Sequence, residues 1–436
     1  MFPTSPIVAC LPTASPPTWL VVAENGTIAR VDPRSPYRIS CLRDEGAGDV
    51  ADDARDVACA APWREDHVLV GRGRTVHHWD PRSPHTMRPV ACLTHMDEDD
   101  EINALAVHPS SRVALGVDDV VAVASDDGSC LLLDINDGAE VRRARQPHTN
   151  VASSVRFAPT YPHAILTGGL DCAVMCWDAT SGKRRGCLMM QSTDGDGDGD
   201  GKGDGVGRAD GVLDSSDGPE SSSSFGKEEE VSATSRSFNP PMVHELAVAV
   251  GGTHVAVARG DGGLACLNIR ALWGKHKQKA KKSTQPGSSL SPSPSPSPSP
   301  SPPPSHRSSS YSYPPHHHGR ATATIDWVGD DGTRLVTGSA DGSVKLWQYI
   351  DHHRPHDNQS HAPGRWEAVA TWRDTLLLHP GGHPPGRGMR RRGGDGDGKE
   401  RLAGRIRAPA VNVVRCRGGA TDFVAGTTGG KLLLFG

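Results

Sequence analysis

The 436-residue sequence lacks several features that define common classes of protein. Its ten cysteines include no CxxC pair, the spacing typical of zinc and thiol–disulfide redox sites. No apolar run approaches the roughly 18 residues that span a bilayer, and the N-terminus has no basic, uninterrupted apolar leader. These absences predict reduced cysteines in a cytoplasmic or nuclear protein with no membrane partner.

An excess of one sign of charge is also missing, since the formal net charge is −4. Without a basic field, nucleic acid is not expected as a direct ligand. No paired carboxylates, metal-ligand spacing or activated nucleophile stands out. The Gly-Asp tract that begins at Asp194 has Gly205 where a calcium loop of the EF-hand type requires a bidentate Glu. We therefore expect no enzyme activity, no catalytic residue, no metal and no cofactor.

Glycine and proline are abundant instead, and they concentrate in three stretches that cannot form a core. These are residues 192–240, which open on alternating Gly and Asp; 273–307, basic and then Ser-Pro-rich; and 379–404, rich in Gly and Arg. We predict that all three are disordered insertions in one domain that spans residues 1–436. The basic run 275–282 is either a nuclear-import signal or a solvated linker.

The rest of the chain repeats. Short alternating apolar runs, tight Gly or Asp turns and strands that end near Trp-Asp recur seven times, most clearly at residues 151–178 and 321–347. This pattern predicts β-strands throughout and no convincing helix. Removing residues 192–240 reduces one interval between equivalent positions from 90 to 41 residues, close to the period of about 40–45 in WD40 repeats.

Two repeats match at a fixed offset of 170 residues with no gap. The matching side chains are His148, Thr167, Asp171 and Trp177 in one repeat and His318, Thr337, Asp341 and Trp347 in the other. This set resembles the buried hydrogen-bonded tetrad of the WD-repeat family. The resemblance implies an all-β, seven-bladed propeller in which these residues are structural. A catalytic Thr/His/Asp set is the alternative, but repetition with an attached Trp favours structure.

A further motif, Trp79-Asp80-Pro81-Arg82, ends the second repeat. In WD-repeat proteins it resembles the signature for docking to the damaged-DNA-binding adaptor of cullin-4 ubiquitin ligases. A guanidinium there can form forked hydrogen bonds that Lys cannot reproduce. Arg34 stands in a similar position one repeat earlier, where Val31 replaces the Trp. Gly73 departs from the signature, which has an acidic turn residue, so a rim Arg with no partner is the alternative.

The stretch from Asp97 to Asp178 is also similar to a small WD-repeat protein proposed as a substrate receptor of such ligases. The resemblance implies a non-enzymatic protein-interaction scaffold, with proteins as partners and this adaptor among them. A scaffold in chromatin, RNA processing or trafficking without a ligase link is the alternative. Because fold does not determine function, both depend on analogy.

The last predicted strand ends the chain, so the outermost strand of the seventh blade would have to come from before Ile7. Pro3 and Pro6 remove two backbone donors from that stretch. We expect three good strands in the seventh blade and a natural start upstream of Met1.

Overall fold

The computed structural model is a ring of seven antiparallel sheets, each of which forms one blade of a β-propeller. The prediction of an all-β, seven-bladed propeller is thus confirmed. The structure describes residues 5–13, 18–34, 39–43, 56–64, 67–80, 87–190, 239–273, 311–312, 318, 320–350, 365–372, 410–416, 423–429 and 431–435.

Each blade is a meander in which consecutive strands pair, so the strand nearest the ring axis comes first in the chain. Blade 1 comprises β1 (Ile7–Pro12), β2 (Trp19–Ala23), β3 (Ile28–Val31) and β4 (Ile39–Arg43). Blade 2 comprises β5 (Val57–Trp63), β6 (His67–Arg72), β7 (Thr75–Trp79) and β8 (Met87–Cys92). Blade 3 comprises β9 (Ile102–Val107), β10 (Val120–Ser125), β11 (Cys130–Asp134) and β12 (Glu140–Arg143).

Blades 4 to 6 have the same strand order. Blade 4 comprises β13 (Ala152–Ala158), β14 (Tyr161–Gly169), β15 (Ala173–Asp178) and β16 (Lys183–Met189). Blade 5 comprises β17 (Val243–Val248), β18 (His254–Arg259), β19 (Leu264–Asn268) and β20 (Tyr311–Ser312). Blade 6 comprises β21 (Thr322–Val328), β22 (Arg334–Ser339), β23 (Val344–Ile350) and β24 (Arg365–Trp372).

Blade 7 has three strands within the described residues, as expected from the sequence: β25 (Val411–Cys416), β26 (Phe423–Thr427) and β27 (Leu432–Phe435). The ring closes where Ile7 and Cys10 of blade 1 pack with Val413 and Val424 of blade 7 in one apolar cluster. Closure therefore depends on the first two strands of blade 7 and on the inner strand of blade 1.

The core lies between neighbouring blades because both faces of every sheet are covered. Four tryptophans, Trp19, Trp79, Trp177 and Trp347, are fully buried at these junctions. Burial of a large aromatic ring contributes more than any other single apolar contact, so these rings anchor the third strands or their partners.

Two short helices correct the prediction that the chain has none: α1 (Ser111–Leu115) and α2 (Ile269–Trp273). Each spans five residues, too short for a 3.6-residue period to show in the sequence. α2 buries Ile269 and Leu272. None of the helices in the described residues is long and apolar enough to span a membrane.

The insertions lie almost wholly outside the described residues. Their proposed bounds need correction at two places. Trp273, counted in the second insertion, belongs to α2, and Arg185 stacks 5.6 Å from its ring centre. Asn239 and Pro240, counted in the first, are described, and the Pro240 carbonyl accepts from the Met242 N–H at 2.8 Å. The bounds were predicted from low apolar content, but contacts with the neighbouring element determine where each insertion begins or ends.

Candidate functional site

The four matching side chains of blade 4 form one continuous hydrogen-bonded chain. Trp177 Nε1 donates to Thr167 Oγ1 at 2.8 Å, and Thr167 Oγ1 lies 2.8 Å from His148 Nε2. His148 Nδ1 lies 2.9 Å from Asp171 Oδ1. Asp171 also accepts from the backbone N–H groups of Thr149 and Ala173 at 3.0 and 3.1 Å. The chain thus joins the loop before β13 to β14, β15 and the turn between them.

Blade 6 repeats this arrangement with one extra member. Trp347 Nε1 donates to Thr337 Oγ1 at 2.8 Å, which lies 2.7 Å from His318 Nε2. His318 Nδ1, however, lies 2.9 Å from Ser343 Oγ, and Ser343 in turn donates to Asp341. Ser343 occupies the position of Ala173 in blade 4, so its hydroxyl extends between the imidazole and the carboxylate.

Blades 3 and 5 carry partial versions that the sequence comparison did not single out. In blade 3, Asp127 accepts from Ser125 Oγ at 2.6 Å and lies 3.7 Å from His95. In blade 5, the fully buried Arg259 forms an ion pair with Asp261. Both acids occupy the tight turn between the second and third strands. An acidic turn residue with a local cationic or hydroxyl partner therefore recurs where the full tetrad does not.

The candidate docking motif begins at the end of β7. Trp79 is fully buried between blades 1 and 2, and Asp80 follows it at partial exposure. We call the side of the ring on which the third strand of each blade ends the lower face. Pro81 and Arg82 lie outside the described residues.

The equivalent strand end of blade 1 shows the local geometry. Asp32 Oδ1 accepts from the Arg34 N–H at 2.9 Å, an Asx turn that fixes the backbone while the Arg34 side chain is exposed. Trp19 pairs directly with Val31 and is 1% exposed, so a buried indole from the neighbouring strand occupies this strand end. The absence of Trp at position 31 therefore does not leave the strand end without an aromatic anchor.

The same turn recurs in blade 5, where Asn268 Oδ1 accepts from the Arg270 N–H at 2.9 Å. Arg270 is exposed, so it matches the position of Arg34 on the lower face. Sequence reasoning missed it because Asn268-Ile269-Arg270 lacks both the Asp and the Pro of the motif.

A pair of histidines lies beside Asp80. His67 Nδ1 and His78 Nε2 are 2.7 Å apart, and His67 Nε2 is 3.9 Å from Asp80 Oδ1. Burial and the neighbouring His67 lower the pKa of His78. This pair holds the end of β7 against β6.

Comparison with known proteins identifies the repeats. The family described as "WD domain, G-beta repeat" matches residues 140–178 and 309–348. The chain carries WD40 repeats. Over 117 residues it is 32% identical to transducin-like enhancer protein 2 of Mus musculus, a match that covers 27% of this chain and 14% of that protein. The chain thus spans a small part of that relative's length.

The two matched WD40 segments contain all eight tetrad residues. A WD40 propeller is typical of a non-enzymatic protein-interaction scaffold, and its partners are typically proteins.

The axis of the WD40 propeller is lined by one buried charged cluster. Glu245 Oε1 accepts from Arg156 Nη2 at 2.8 Å and from Arg415 Nη2 at 2.5 Å. Its Oε2 accepts from Thr324 Oγ1 and from the Ile325 N–H. Burial raises the pKa of Glu245, but the two guanidiniums outweigh it and hold the pKa below its ordinary value. A single carboxylate thus joins blades 4, 5, 6 and 7.

The inner strands of all seven blades surround a cavity of about 160 Å³ at this cluster. Polar and charged lining side chains come from blades 3, 4, 5 and 7, whereas blades 1, 2 and 6 contribute apolar ones such as Val8, Ala60 and Ala323. In the described part of the chain, no group of three His, Cys, Asp or Glu side chains is placed to hold a metal ion. Burial raises the pKa of Cys10, Cys59, Cys130 and Cys176 to about 12, which disfavours the nucleophilic thiolate.

Proposed function

We propose that this WD40 propeller is a substrate receptor of a cullin-4 RING ubiquitin ligase, and that its lower face docks to the damaged-DNA-binding adaptor. The observation that carries the proposal is the repetition of Asp-Pro-Arg at the third-strand ends of two neighbouring blades. Strands β3 and β7 end on the same face of the ring. We therefore expect Arg34 and Arg82 to belong to one surface.

The rigidity of these strand ends supports the proposal. Trp79 and Trp19 are buried at the two ends, and the Asx turn at Asp32 fixes the backbone that carries the exposed Arg34. By repetition, we expect Asp80 to orient the backbone of Arg82 in the same way. A fixed guanidinium can form two parallel hydrogen bonds to a carboxylate or to carbonyl groups of a partner without a large loss of side-chain entropy.

A second line of support is the resemblance of Asp97–Asp178 to WD repeat-containing protein 53, which has been proposed as a receptor of this kind. The stretch includes blade 3, whose β10 and β11 follow the acidic run at residues 97–101, and blade 4 with its complete tetrad. The target protein would then bind elsewhere on the ring, because the lower face near blades 1 and 2 would contact the adaptor.

Arg82→Ala is the most direct test. We expect it to weaken co-precipitation of the adaptor roughly ten- to a hundredfold, because a charge-assisted contact of about 1.5–3 kcal/mol is lost. Arg82→Lys should retain part of the binding, since Lys keeps the positive charge but cannot form the two parallel hydrogen bonds of a guanidinium. Arg34→Ala should weaken binding less than Arg82→Ala.

Arg270→Ala is the matched control, because Arg270 occupies the same turn position on the lower face but in blade 5, away from the proposed contact at blades 1 and 2. It should leave co-precipitation unchanged, and all variants should melt at the wild-type temperature. If the wild-type chain recovers no adaptor or cullin in affinity purification with mass spectrometry, it is a scaffold without a ligase link. If Arg82→Ala binds like the wild type, the docking surface is wrong.

A further inference from the structure

Four exposed basic side chains, Arg142, Arg145, Lys183 and Arg184, lie at the outer edges of blades 3 and 4. The two edges touch: the Arg145 N–H donates to the Gly182 carbonyl at 2.9 Å. Gly182, at φ +65°, approaches the Arg143 carbonyl so closely that a Cβ there would lie 2.3 Å from its oxygen. The four cations therefore form one continuous patch, which we call the outer basic surface.

No carboxylate of the described residues neutralises these four side chains. Two acids on the same blades are already engaged: Glu140 pairs with Arg143 at 2.6 Å, and Asp178 pairs with Arg185. Within the described part of the chain, the four side chains take part in no hydrogen bond or ion pair. The chain as a whole has a net charge of −4, so this basic patch is local. Such a patch attracts an acidic ligand.

The sequence supplies one. Residues 194–230, which we call the acidic segment, contain twelve Asp and Glu against three Lys and Arg, a net charge of −9. The segment lies outside the described residues. It begins four positions after Met190, where the description of blade 4 ends, directly beyond the strand that carries Lys183 and Arg184. An extended chain covers about 3.3–3.6 Å per residue, so its first ten residues can return along the whole of β16.

We propose that the acidic segment binds in cis to the outer basic surface. The short connection holds the segment at an effective concentration of about millimolar, so weak individual pairs suffice for occupancy. Three of the four cations are arginines, whose planar forks match carboxylates in a bidentate geometry. Bound in this way, the segment excludes other polyanions from blades 3 and 4. The proposal is independent of adaptor docking, which involves the lower face of blades 1 and 2.

Zero-length carbodiimide cross-linking of the full-length chain tests this proposal, because it joins a carboxylate to a lysine amine only at contact. We expect Lys183 to cross-link to carboxylates of residues 194–230 at low salt. The yield should fall at least threefold in about 0.5 M NaCl, where the screening length is a few ångströms. The variant Arg142→Glu/Arg145→Glu/Arg184→Glu, which keeps Lys183, should reduce the yield by a similar factor.

The matched control is Arg112→Glu/Arg365→Glu, which reverses two exposed arginines, 81% and 60% accessible, elsewhere on the ring. It should keep the wild-type yield. Equal yields in wild type and in the triple variant would show that the tether alone brings the segment to Lys183, and the proposal would be wrong. Equal yields at low and high salt in the wild-type chain would overturn it as well, without need of a variant.

Discussion

At the scale of single residues, the two tetrads share a sequence pattern but differ in what their acids hold. Asp171 accepts directly from His148 and from two backbone N–H groups. Asp341 accepts from the hydroxyl and N–H of Ser343, while His318 Nδ1 has the Ser343 hydroxyl as its partner. Removing the acid therefore leaves more donors unpaired in blade 4 than in blade 6.

We expect Asp171→Ala to destabilise the protein by about 2–3 kcal/mol and Asp341→Ala by about 1 kcal/mol, because unpaired buried donors cost about 1–3 kcal/mol. Urea unfolding at equilibrium measures both. Asp196→Ala, in the Gly-Asp tract, should have no measurable effect. A larger loss for Asp341→Ala than for Asp171→Ala would contradict the role assigned to Ser343.

The charged cluster at the axis predicts how stability depends on pH. The pKa of Glu245 is held below its ordinary value, so the unfolded chain binds its proton more readily and stability falls as the pH drops below about 4.5. Burial raises the pKa of Asp326, although Arg415 opposes the shift. Asp326 therefore has the opposite sign: its contribution is present at low pH and is lost as pH rises through its folded pKa.

Glu245→Gln should lower stability near neutral pH by about 3 kcal/mol, since Arg156 and Arg415 lose their shared anion. In Glu245→Gln, the free energy of unfolding should also fall less steeply as the pH is lowered. In Asp326→Asn it should fall more steeply. Free energies of unfolding measured between about pH 3 and 7 give both slopes. Identical slopes in the two variants would mean that these carboxyls do not titrate as assigned.

At the scale of elements, alternation and turn chemistry predicted the strands, because each blade carries a second strand that is buried along most of its length and is bounded by turns. The same patterns could not find α2, whose role is set by its contact with β16. They also could not place Glu245 against Arg415, 170 residues away, since only the closed ring brings blades 5 and 7 together. Ser343 escaped notice because the four-residue template ignores the position two after the Asp.

The first insertion gives a prediction with sharp bounds. Replacing residues 192–238 with a short linker should change the melting temperature little, since loop entropy grows slowly with length and the flanking strands stay intact. Extending the deletion through Met242 should destabilise, because the Met242 carbonyl accepts from the Gly260 N–H at 2.8 Å. Thermal melts give the melting temperature of each deletion variant relative to the wild type. A cooperative loss of structure in the shorter deletion would mean that it removes a strand.

At the scale of the whole molecule, one glycine position recurs at the junctions between blades. Gly71, Gly168, Gly338 and Gly426 each lie in a second strand and face the first residue of the next inner strand. At Gly426 that residue is Ile7, so the junction that closes the ring repeats the geometry of the junctions within it. A Cβ there would lie 2.6 Å from Ile7 Cγ2 and 2.8 Å from Ile7 Cβ and Val413 Cγ1.

Gly426→Val should therefore open the ring at its closure. Overpacking of this kind costs about 1–3 kcal/mol, and the strain falls on a junction between blade 1 and a blade with three described strands. We expect amide hydrogen exchange to speed up in β1, β25 and β26 while β13 to β15 stay protected. Gly168→Val should instead affect blades 4 and 5, and Gly251→Val, with nothing within 4 Å of the new Cβ, should do nothing. Faster exchange in all seven blades of Gly426→Val would show that the ring opens only as one cooperative unit.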